Sequence, residues 1–375
     1  MRVAIVHDWL NQSGGAERVL MAIHRLYPSA PVYPIVYDAD GAPGAMRDWD
    51  IRPTFLQRVP FAKRRHQMFL PLMPLAVEQL DLSEFDLVIS TSSAVAKGAI
   101  PRPGATHVCY CHTPCRYIWD HYHEYTRGLR FKGLIAPVAH WLRIWDQLSA
   151  ARVDHFIANS HWVASRIQSY YRRDSEVIYP PVDVERFTVS SGPAEDFYLV
   201  VSRFVTYKRI DIAIEAANRL GRRLLVVGDG PERRRLEAQA GPTIRFLGRR
   251  SDAEVAELYA RCRAFLFPGW EDFGIAPVEA QAAGRPVIAY GRGGALETVV
   301  DGVTGVFFEE QTPESLAAAI ERFELLELDP GDCRAQAERF DSSEFDRRFK
   351  AAVDIQVSRA AQAGNVSREA RIRLA

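Results

Sequence analysis

Two glutamates, Glu271 and Glu279, are the first and last residues of the sequence EDFGIAPVE, which lies near the start of a helical pattern. Proline is favoured at the first position of a helix and glycine just past its end, so Pro277 and Gly284 predict a helix over residues 276–283. Glu279 then lies in the first turn and Glu271 in the preceding loop. Carboxylates at these positions are favoured by the helix dipole alone. They are equally suited to accept hydrogen bonds from paired hydroxyl groups of a ribose or a hexose.

The backbone between the two glutamates offers hydrogen-bond donors. The first amides of an α-helix have no acceptor inside the helix and lie at the positive end of its dipole. The amides of Gly274, Ile275 and Ala276 are therefore predicted to face a phosphate or a sugar.

Two cations, Arg203 and Lys208, follow a predicted strand in the sequence VSRFVTYKRID. A guanidinium group binds phosphate as a planar fork and an ammonium group binds it as a point charge. The pair is therefore suited to neutralise a diphosphate. Two solvated loop charges are the alternative.

Glycines mark two further turns between a strand and a helix. Gly14 and Gly15 end the first turn, where the absence of a side chain lets the backbone approach a phosphate at a helix amino end. The GxGxxG spacing of a dinucleotide site is missing, so a plain tight turn is the alternative. The second turn, GDGP at residues 228–231, precedes a proline-initiated helix.

The sequence CYCHTPCRYIWDHY follows a predicted strand and carries His112. Its three cysteines lack the C-x2-C pair spacing of a zinc site, and no second pair follows. The pattern Asp38-x-Asp40 is typical of a turn. We therefore expect no bound metal ion. Tyr117 and Trp119 either wall an acceptor sugar or pack in the core.

Two stretches of the first half, residues 59–80 and 127–148, combine cations with aromatic and aliphatic side chains. The cations are Lys63, Arg64 and Arg65 in the first stretch and Arg127, Arg130, Lys132 and Arg143 in the second. A basic amphipathic surface suits anionic lipid headgroups, each nearby cation contributing about 1 kcal/mol. The stretches predict docking to an anionic membrane or a lipid phosphate, and core helices with solvated faces are the alternative.

The elements that must position these residues are short apolar runs alternating with helical patterns. Predicted strands cover residues 3–7, 86–91, 107–111, 155–160, 197–203, 223–230, 244–248, 264–269, 286–291 and 305–308. Their hydrophobicity is continuous, as is typical of strands buried on both faces. The repeated strand and helix order predicts an α/β fold with two doubly wound parallel sheets.

The polar sequence TVSSGPAED is the predicted domain boundary. It separates a Rossmann-like domain at residues 1–190, which would bind the acceptor, from a second Rossmann-like domain at residues 191–342, which would bind the donor. We expect the helix at residues 343–375 to pack toward the first domain and to fray at its end. Ligands of open parallel sheets bind beyond the carboxyl ends of the strands, so we expect the site in a cleft across which the domains face each other.

The overall composition indicates which partners and which cell compartment the protein is suited to. The 47 Lys and Arg residues balance the 47 Asp and Glu residues, so no global field attracts nucleic acid. The five cysteines are odd in number and no charged-then-apolar leader opens the sequence, which favours a reducing cytoplasm. A long apolar run is missing, so we expect a peripheral position at the inner face of the cytoplasmic membrane.

In their order and spacing, the motifs GGAERV, SRFVTYKR, GDGP and the two glutamates with seven residues between them resemble the retaining glycosyltransferases of family 4. The resemblance extends over about residues 1–345. It implies the two-domain GT-B fold and transfer from a nucleotide-diphosphate sugar without a metal ion or other cofactor.

The resemblance also implies a role for each matching residue of the second half. Glu279 would hold the ribose of the donor. Glu271 and the amides after Phe273 would contact the donor sugar. The base would lie near Gly248 and Arg249.

The remaining matching residues are implied to surround the reacting centre. Arg203 and Lys208 would hold the diphosphate, and Gly15 in the amino-terminal loop would close over it. His112 would lie near the C6 hydroxyl of the sugar.

The sequence HTPCRYIWD resembles bacterial mannosyltransferases of polysaccharide assembly, which implies GDP-mannose as donor and a polyprenyl-diphosphate-linked or other glycan as acceptor. A UDP-sugar, used for a glucosyl-type transfer, is the alternative donor. A sugar-nucleotide epimerase shares the doubled Rossmann plan but needs no acceptor and hence no basic stretches. A non-catalytic lipid-binding protein explains the basic stretches but gives no reason for the cations and glutamates to converge.

Overall fold

The computed structural model describes residues 1–120, 122–126, 132–189 and 192–374. It divides into two compact units, one of Met1–Pro180 together with Phe345–Ala375 and one of Pro181–Glu344. The division lies earlier in the chain than the boundary expected at residues 190 and 191, and those two residues fall outside the described part. Within the described residues, no helix combines the length and the hydrophobicity needed to cross a membrane.

The first unit is built on a parallel sheet of six strands in the order β2-β1-β3-β4-β5-β6. The strands are β1 (Val3–His7), β2 (Val32–Pro34), β3 (Leu87–Ser92), β4 (Thr106–Cys111), β5 (His155–Ala158) and β6 (Ser175–Val177). The helices are α1 (Gly15–Leu26), α2 (Met73–Glu78), α3 (Tyr122–Tyr125), α4 (Lys132–Ser149) and α5 (His161–Tyr171), and most of α13 (Ser342–Leu374) belongs to the same unit. The sequence predicts four of these strands; β2 and β6 are three-residue edge strands, too short to carry a hydrophobic pattern.

Helix α13 contributes to the core of the first unit. Phe345 and Phe349 pack with Tyr110 and Ile178 in one buried cluster. The side chain of Arg348 donates a hydrogen bond of 2.7 Å to the carbonyl oxygen of Val177. The carboxyl-terminal segment is thus an integral part of this unit.

The second unit has a parallel sheet in the order β12-β11-β10-β7-β8-β9. Its strands are β7 (Tyr198–Val201), β8 (Leu224–Val227), β9 (Ile244–Gly248), β10 (Ala264–Phe267), β11 (Val287–Tyr290) and β12 (Gly305–Phe308). Its helices are α6 (Ile210–Leu220), α7 (Arg233–Gln239), α8 (Asp252–Arg261), α9 (Ile275–Ala282), α10 (Ala295–Thr298), α11 (Pro313–Glu324) and α12 (Pro330–Glu338). All six of these strands are predicted from the sequence, and two doubly wound parallel sheets are confirmed.

In both sheets the strand order reverses at one position, and open parallel sheets typically bind their ligands there, beyond the carboxyl ends of the strands. The reversal lies between β1 and β3 in the first unit and between β7 and β10 in the second. These two positions contain most of the residues singled out by the sequence.

Candidate functional site

In the second unit, the loops that follow β7 and β10 meet at the reversal of strand order. The loop after β7 carries Arg203 and a short 3-10 turn, Thr206–Lys208. The loop after β10 carries Glu271 and ends at the start of α9. A Cβ atom on Gly269 would lie 3.1 Å from the Cα atom of Lys208, so the two loops are in direct contact.

The loop that carries Glu271 is held by the turn after β11. The amide of Gly294 donates a hydrogen bond of 3.0 Å to the carbonyl oxygen of Glu271. A Cβ atom on Gly293, where φ is +61°, would lie 2.4 Å from the same oxygen. Glycine is required at this position by both the backbone angle and the close approach.

Helix α9 begins at Ile275, one residue before the predicted start at residue 276, so Pro277 is not at the first helical position. Gly274 has φ +87°, and its left-handed backbone turns the chain into the helix before the proline is reached. Pro277 is the third helical residue, where its missing amide costs no intrahelical hydrogen bond. Glu279 is the fifth residue of the helix and lies beyond the first turn. The helix dipole stabilises carboxylates mainly within the first turn, so it explains little of the preference for a glutamate here.

Glu271 and Lys208 form an ion pair through Oε1 and Nζ. Both side chains are mostly buried, with exposed fractions of 19% and 17%. The sequence predicts that one binds the donor sugar and the other the diphosphate. The structure brings them together and makes each the counterion of the other.

Glu279 is buried and held by residues that the sequence analysis did not identify. Its Oε1 atom lies 2.9 Å from Nη2 of Arg186, and the hydroxyl group of Tyr259 donates to Oε2 at 3.4 Å. Arg186 lies ninety-three positions away in a short turn near the start of the second unit. No local pattern links the two residues, so only the tertiary structure reveals the pair.

The other predicted donor residues lie around the same carboxyl edge. Arg203 is exposed. A Cβ atom on Gly228 would lie 1.8 Å from the carbonyl oxygen of Ser202, so the GDGP turn packs against the loop after β7. Gly248 ends β9 with φ +71°, and Arg249 after it is exposed.

In the first unit, the reversal of strand order is organised by Asp8, a residue that the sequence analysis missed. Its buried carboxylate accepts hydrogen bonds from four successive backbone amides. The donors are Ser93, Ala94, Val95 and Ala96, the last three at 2.8 Å. A carboxylate bonded in this way fixes the loop after β3 to the end of β1.

The turn at Gly14 and Gly15 lies over a buried polar pair. Helix α1 starts at Gly15, and Glu17 in its first turn is 1% exposed. Oε1 of Glu17 lies 3.9 Å from Nε2 of His7, whose Nδ1 atom is 2.5 Å from the hydroxyl oxygen of Thr91. A Cβ atom on Gly14 would approach Oε2 of Glu17 to 3.2 Å.

His112 lies at the carboxyl end of β4, next to the reversal. Its amide donates to the carbonyl oxygen of Ser92 at 2.8 Å, and its carbonyl oxygen accepts from the side chain of Asn159 at 3.0 Å. The imidazole packs edge-on against Tyr110, with ring centroids 5.3 Å apart. The backbone at His112 is therefore fixed from both sides.

Two arginines hold the segment that follows His112. Arg166 is buried, donates to the hydroxyl oxygen of Thr113 at 2.6 Å and pairs with Asp120. Arg143 of α4 donates to the carbonyl oxygen of Ile118 at 2.6 Å. These contacts tie the segment to α4 and α5 although it has little regular structure.

A buried ion pair also contacts this segment. Nζ of Lys97 lies 2.6 Å from Oδ1 of Asp146, and both side chains are almost fully buried. Oδ2 of Asp146 accepts hydrogen bonds from the indole of Trp119 at 2.7 Å and the hydroxyl group of Tyr171 at 2.9 Å. Trp119 also stacks on Tyr170, so its position agrees with the packing interpretation.

The three cysteines of the segment do not converge. Cys109 and Cys111 belong to one buried cluster and Cys115 to another. Burial raises the pKa of the Cys109 thiol to about 12. Asp38 lies in a turn, and its carbonyl oxygen accepts hydrogen bonds from the amides of Gly41 and Ala42.

The first basic stretch reaches the loop after β1. Asn11 donates to the carbonyl oxygen of Lys63 at 2.6 Å, and Trp9 stacks on His66 with ring centroids 4.5 Å apart. Tyr117 accepts a hydrogen bond of 3.4 Å from Gln67. In the second stretch, Arg127 and Arg130 lie outside the described residues, as does the side chain of Lys132.

Comparisons with known proteins find similarity in both halves of the chain. Residues 13–186 match the family model Glycosyltransferase Family 4, and residues 183–340 match Glycosyl transferases group 1. The solved structure of HepE from Anabaena in complex with UDP has a TM-score of 0.71 at 21% identity, covering 94% of this chain and 100% of that one.

Two curated relatives show more sequence identity over shorter regions. The human alpha-1,3/1,6-mannosyltransferase ALG2 is 27% identical over an alignment of 279 residues, and the match covers 64% of this chain and 65% of ALG2. The D-inositol 3-phosphate glycosyltransferase of Geodermatophilus obscurus is 34% identical over 210 residues, 47% of each chain. The chain spans about half to two thirds of the length of the curated relatives it matches.

The two doubly wound parallel sheets and their structural neighbour define the GT-B fold. Within that fold, the two family models account together for both halves of the chain. Both halves of the chain are thus similar to glycosyltransferases, the first to the family 4 model and the second to the group 1 model.

Proposed function

We propose that the chain is a retaining hexosyltransferase that transfers mannose from GDP-mannose to a lipid-linked or other glycan acceptor in bacterial surface polysaccharide synthesis. One observation carries the proposal. At the reversal of strand order in the second unit, Lys208 pairs with Glu271 in the loop that leads to α9, and Arg203 lies in the same loop as Lys208. Such a set of cations, amides and one carboxylate suits a diphosphate joined to a sugar.

In the proposed reaction, Arg203, Lys208 and the first amides of α9 stabilise the departing nucleoside diphosphate. The acceptor hydroxyl attacks the anomeric carbon from the face that the diphosphate leaves. A new carbon–oxygen bond forms as the bond to the β-phosphate oxygen breaks, and the hydroxyl proton passes to the leaving phosphate. Glu271 orients the sugar, and His112 lies near its C6 hydroxyl. No metal ion is needed, because the protein cations carry the countercharge.

The comparisons support two different donors, which differ in their nucleotide base. The name of ALG2 describes mannosyl transfer, which favours a mannosyl donor. HepE is described in complex with UDP, which favours the alternative of a UDP-sugar and glucosyl-type transfer. Gly248 and Arg249 are proposed to contact the base in either case.

We place the acceptor on an anionic membrane because exposed apolar side chains accompany the cations of the first unit. Phe61 and Met68 are 75% and 70% exposed, close in sequence to exposed Lys63, Arg64 and Arg65. On α4, the spacing of Trp141, Ile144 and Leu148 puts these exposed residues on one helix face. Large exposed apolar side chains beside cations are typical of surfaces that enter a lipid interface. Tyr117 is proposed to lie toward the acceptor, whereas the contacts of Trp119 with Asp146 and Tyr170 favour the packing interpretation.

A panel of GDP- and UDP-sugars, measured by thermal unfolding, tests the proposal. A donor at about 100 times its dissociation constant adds about 2.7 kcal/mol to the free energy of unfolding. We expect GDP-mannose to raise the melting temperature most, and expect the rise to disappear in Lys208→Ala. A panel without any stabilising nucleotide sugar would overturn the proposal.

A further inference from the structure

Arg186 divides its guanidinium group between two carboxylates of the second unit. Nη2 lies 2.9 Å from Oε1 of Glu279 on α9, and Nη1 lies 2.8 Å from Oδ2 of Asp252 at the start of α8. The same group lies over the ring of Phe187, 4.7 Å from its centroid. A planar fork suits this double contact, and a single ammonium group does not reproduce it.

The two contacts of Arg186 are unequal. The side chain of Glu279 is only 7% exposed, whereas that of Asp252 is 73% exposed. An exposed pair contributes little because water screens it. A buried carboxylate requires a counterion and hydrogen bonds, so the contact with Glu279 is the important one.

The surroundings of Glu279 also fix the plane of its carboxylate. Arg186 holds one oxygen, and Tyr259, which is fully buried, holds the other at 3.4 Å. Tyr259 itself packs edge-on against Phe187 and Phe265. The carboxylate is thus oriented by a fork from one side and a rigid aromatic group from the other.

We propose that Arg186 is a positioning residue of the donor site, which holds the Glu279 carboxylate in place and oriented toward the ribose hydroxyl groups. The inference rests on the proposed function, since it takes the ribose of a nucleoside diphosphate as the ligand of Glu279. Arg186 does not touch the ligand and acts only through Glu279. Its removal therefore weakens the part of the binding energy that comes from the ribose hydroxyl groups.

The test measures binding by calorimetry for the nucleoside diphosphate that the wild-type chain binds, GDP or UDP, and for its 2′,3′-dideoxy form. Hydrogen bonds to a charged group contribute about 1.5–3 kcal/mol, so Arg186→Gln is expected to raise Kd about 10-fold or more for the ribose form. For the dideoxy form, which lacks the hydroxyl groups, Kd changes less than about 2-fold. Arg186→Lys, which keeps the charge, gives an intermediate loss and serves if Arg186→Gln does not fold.

Asp252→Asn is the matched control, because it removes only the exposed partner of Arg186 and is expected to leave Kd unchanged. Equal losses for both ligands in the Arg186 variants would show a merely structural role and overturn the inference alone. A wild-type chain that binds neither GDP nor UDP would overturn the proposed function and the inference with it. With saturating donor, the variants are expected to keep kcat while KM for the donor rises.

Discussion

Lys208 and Glu271 form an ion pair between the loops that follow β7 and β10. The proposed roles nevertheless assign Lys208 to a diphosphate and Glu271 to a sugar. A diphosphate carries more negative charge than one carboxylate and competes for the ammonium group. Sugar hydroxyl groups can then donate to Glu271. We interpret the pair as an exchangeable contact that holds both side chains in place until the proposed donor binds.

Variants of the cations distinguish a structural role of the ion pair from a role in transfer. Lys208→Ala and Arg203→Ala are each expected to lower kcat at least about 100-fold, the scale for losing one donor to a developing charge. The double variant Lys208→Glu with Glu271→Lys restores an ion pair, so we expect it to melt near the wild-type temperature while transfer stays as low as in Lys208→Ala. Near-normal turnover in the double variant or in both alanine variants would contradict these roles.

The buried pair of Lys97 and Asp146 is expected to stabilise the first unit strongly. In Asp146→Asn the ammonium group of Lys97 stays buried without its counterion, which costs about 3–5 kcal/mol. Urea unfolding measures the loss. Asp354→Asn is the control, since Asp354 pairs with Lys350 on the exposed face of α13 and its loss is expected to leave stability unchanged. Equal stability of the two variants would contradict the account.

His107 predicts a dependence of stability on pH. Burial lowers its pKa to about 4 from the ordinary value of 6.5, while Nε2 lies 2.9 Å from the hydroxyl oxygen of Ser90. The unfolded chain therefore binds a proton at a higher pH than the folded chain, and stability falls as the pH drops from 6.5 toward 4. This one group accounts for about 3 kcal/mol at pH 4.

The measurement compares urea unfolding of the wild-type chain and of His107→Gln at pH 7 and pH 4. Other groups titrate in both proteins, so only the difference between them reports on His107. Between pH 7 and pH 4, the free energy of unfolding of the wild-type chain is expected to fall by about 3 kcal/mol more than that of the variant. Parallel losses would show that the imidazole does not remain neutral when buried.

Docking to a membrane is expected to depend on the cations of the first basic stretch. Replacing Lys63, Arg64 and Arg65 with alanine should abolish flotation with anionic vesicles, since each cation contributes about 1 kcal/mol near such a surface. The matched control replaces the three consecutive arginines of α7, Arg233–Arg235, which removes the same charge from the second unit. Loss of flotation in the control as well would indicate unspecific charge attraction. Flotation and turnover that persist in the first variant would exclude the docking surface.

Sequence reasoning located the strands well because a buried parallel strand is a continuous apolar run. It missed β2 and β6, which have three residues each and lie at the two edges of their sheet. It misplaced the start of α9, because the backbone angle of Gly274 rather than the preference of Pro277 decides it.

The candidate site was predicted where residues follow a strand within one motif, as for Lys208 and Glu271. It was missed where a partner comes from a distant segment. Arg186 reaches Glu279, Asp8 reaches the loop after β3, and Lys97 pairs with Asp146 only because the fold brings these segments together. No periodicity or spacing records such contacts, since they depend on the packing of separate elements.

The most direct test of the central claim is product analysis after incubation of the chain with GDP-mannose and a lipid-diphosphate-linked glycan acceptor, without added metal ion and with a chelator present. We predict release of GDP and a new glycosidic bond whose anomeric configuration, measured by NMR, equals that of the donor. UDP-glucose in place of GDP-mannose tests the alternative donor in the same assay. No transfer from any GDP- or UDP-sugar, or a product with inverted configuration, would contradict the account.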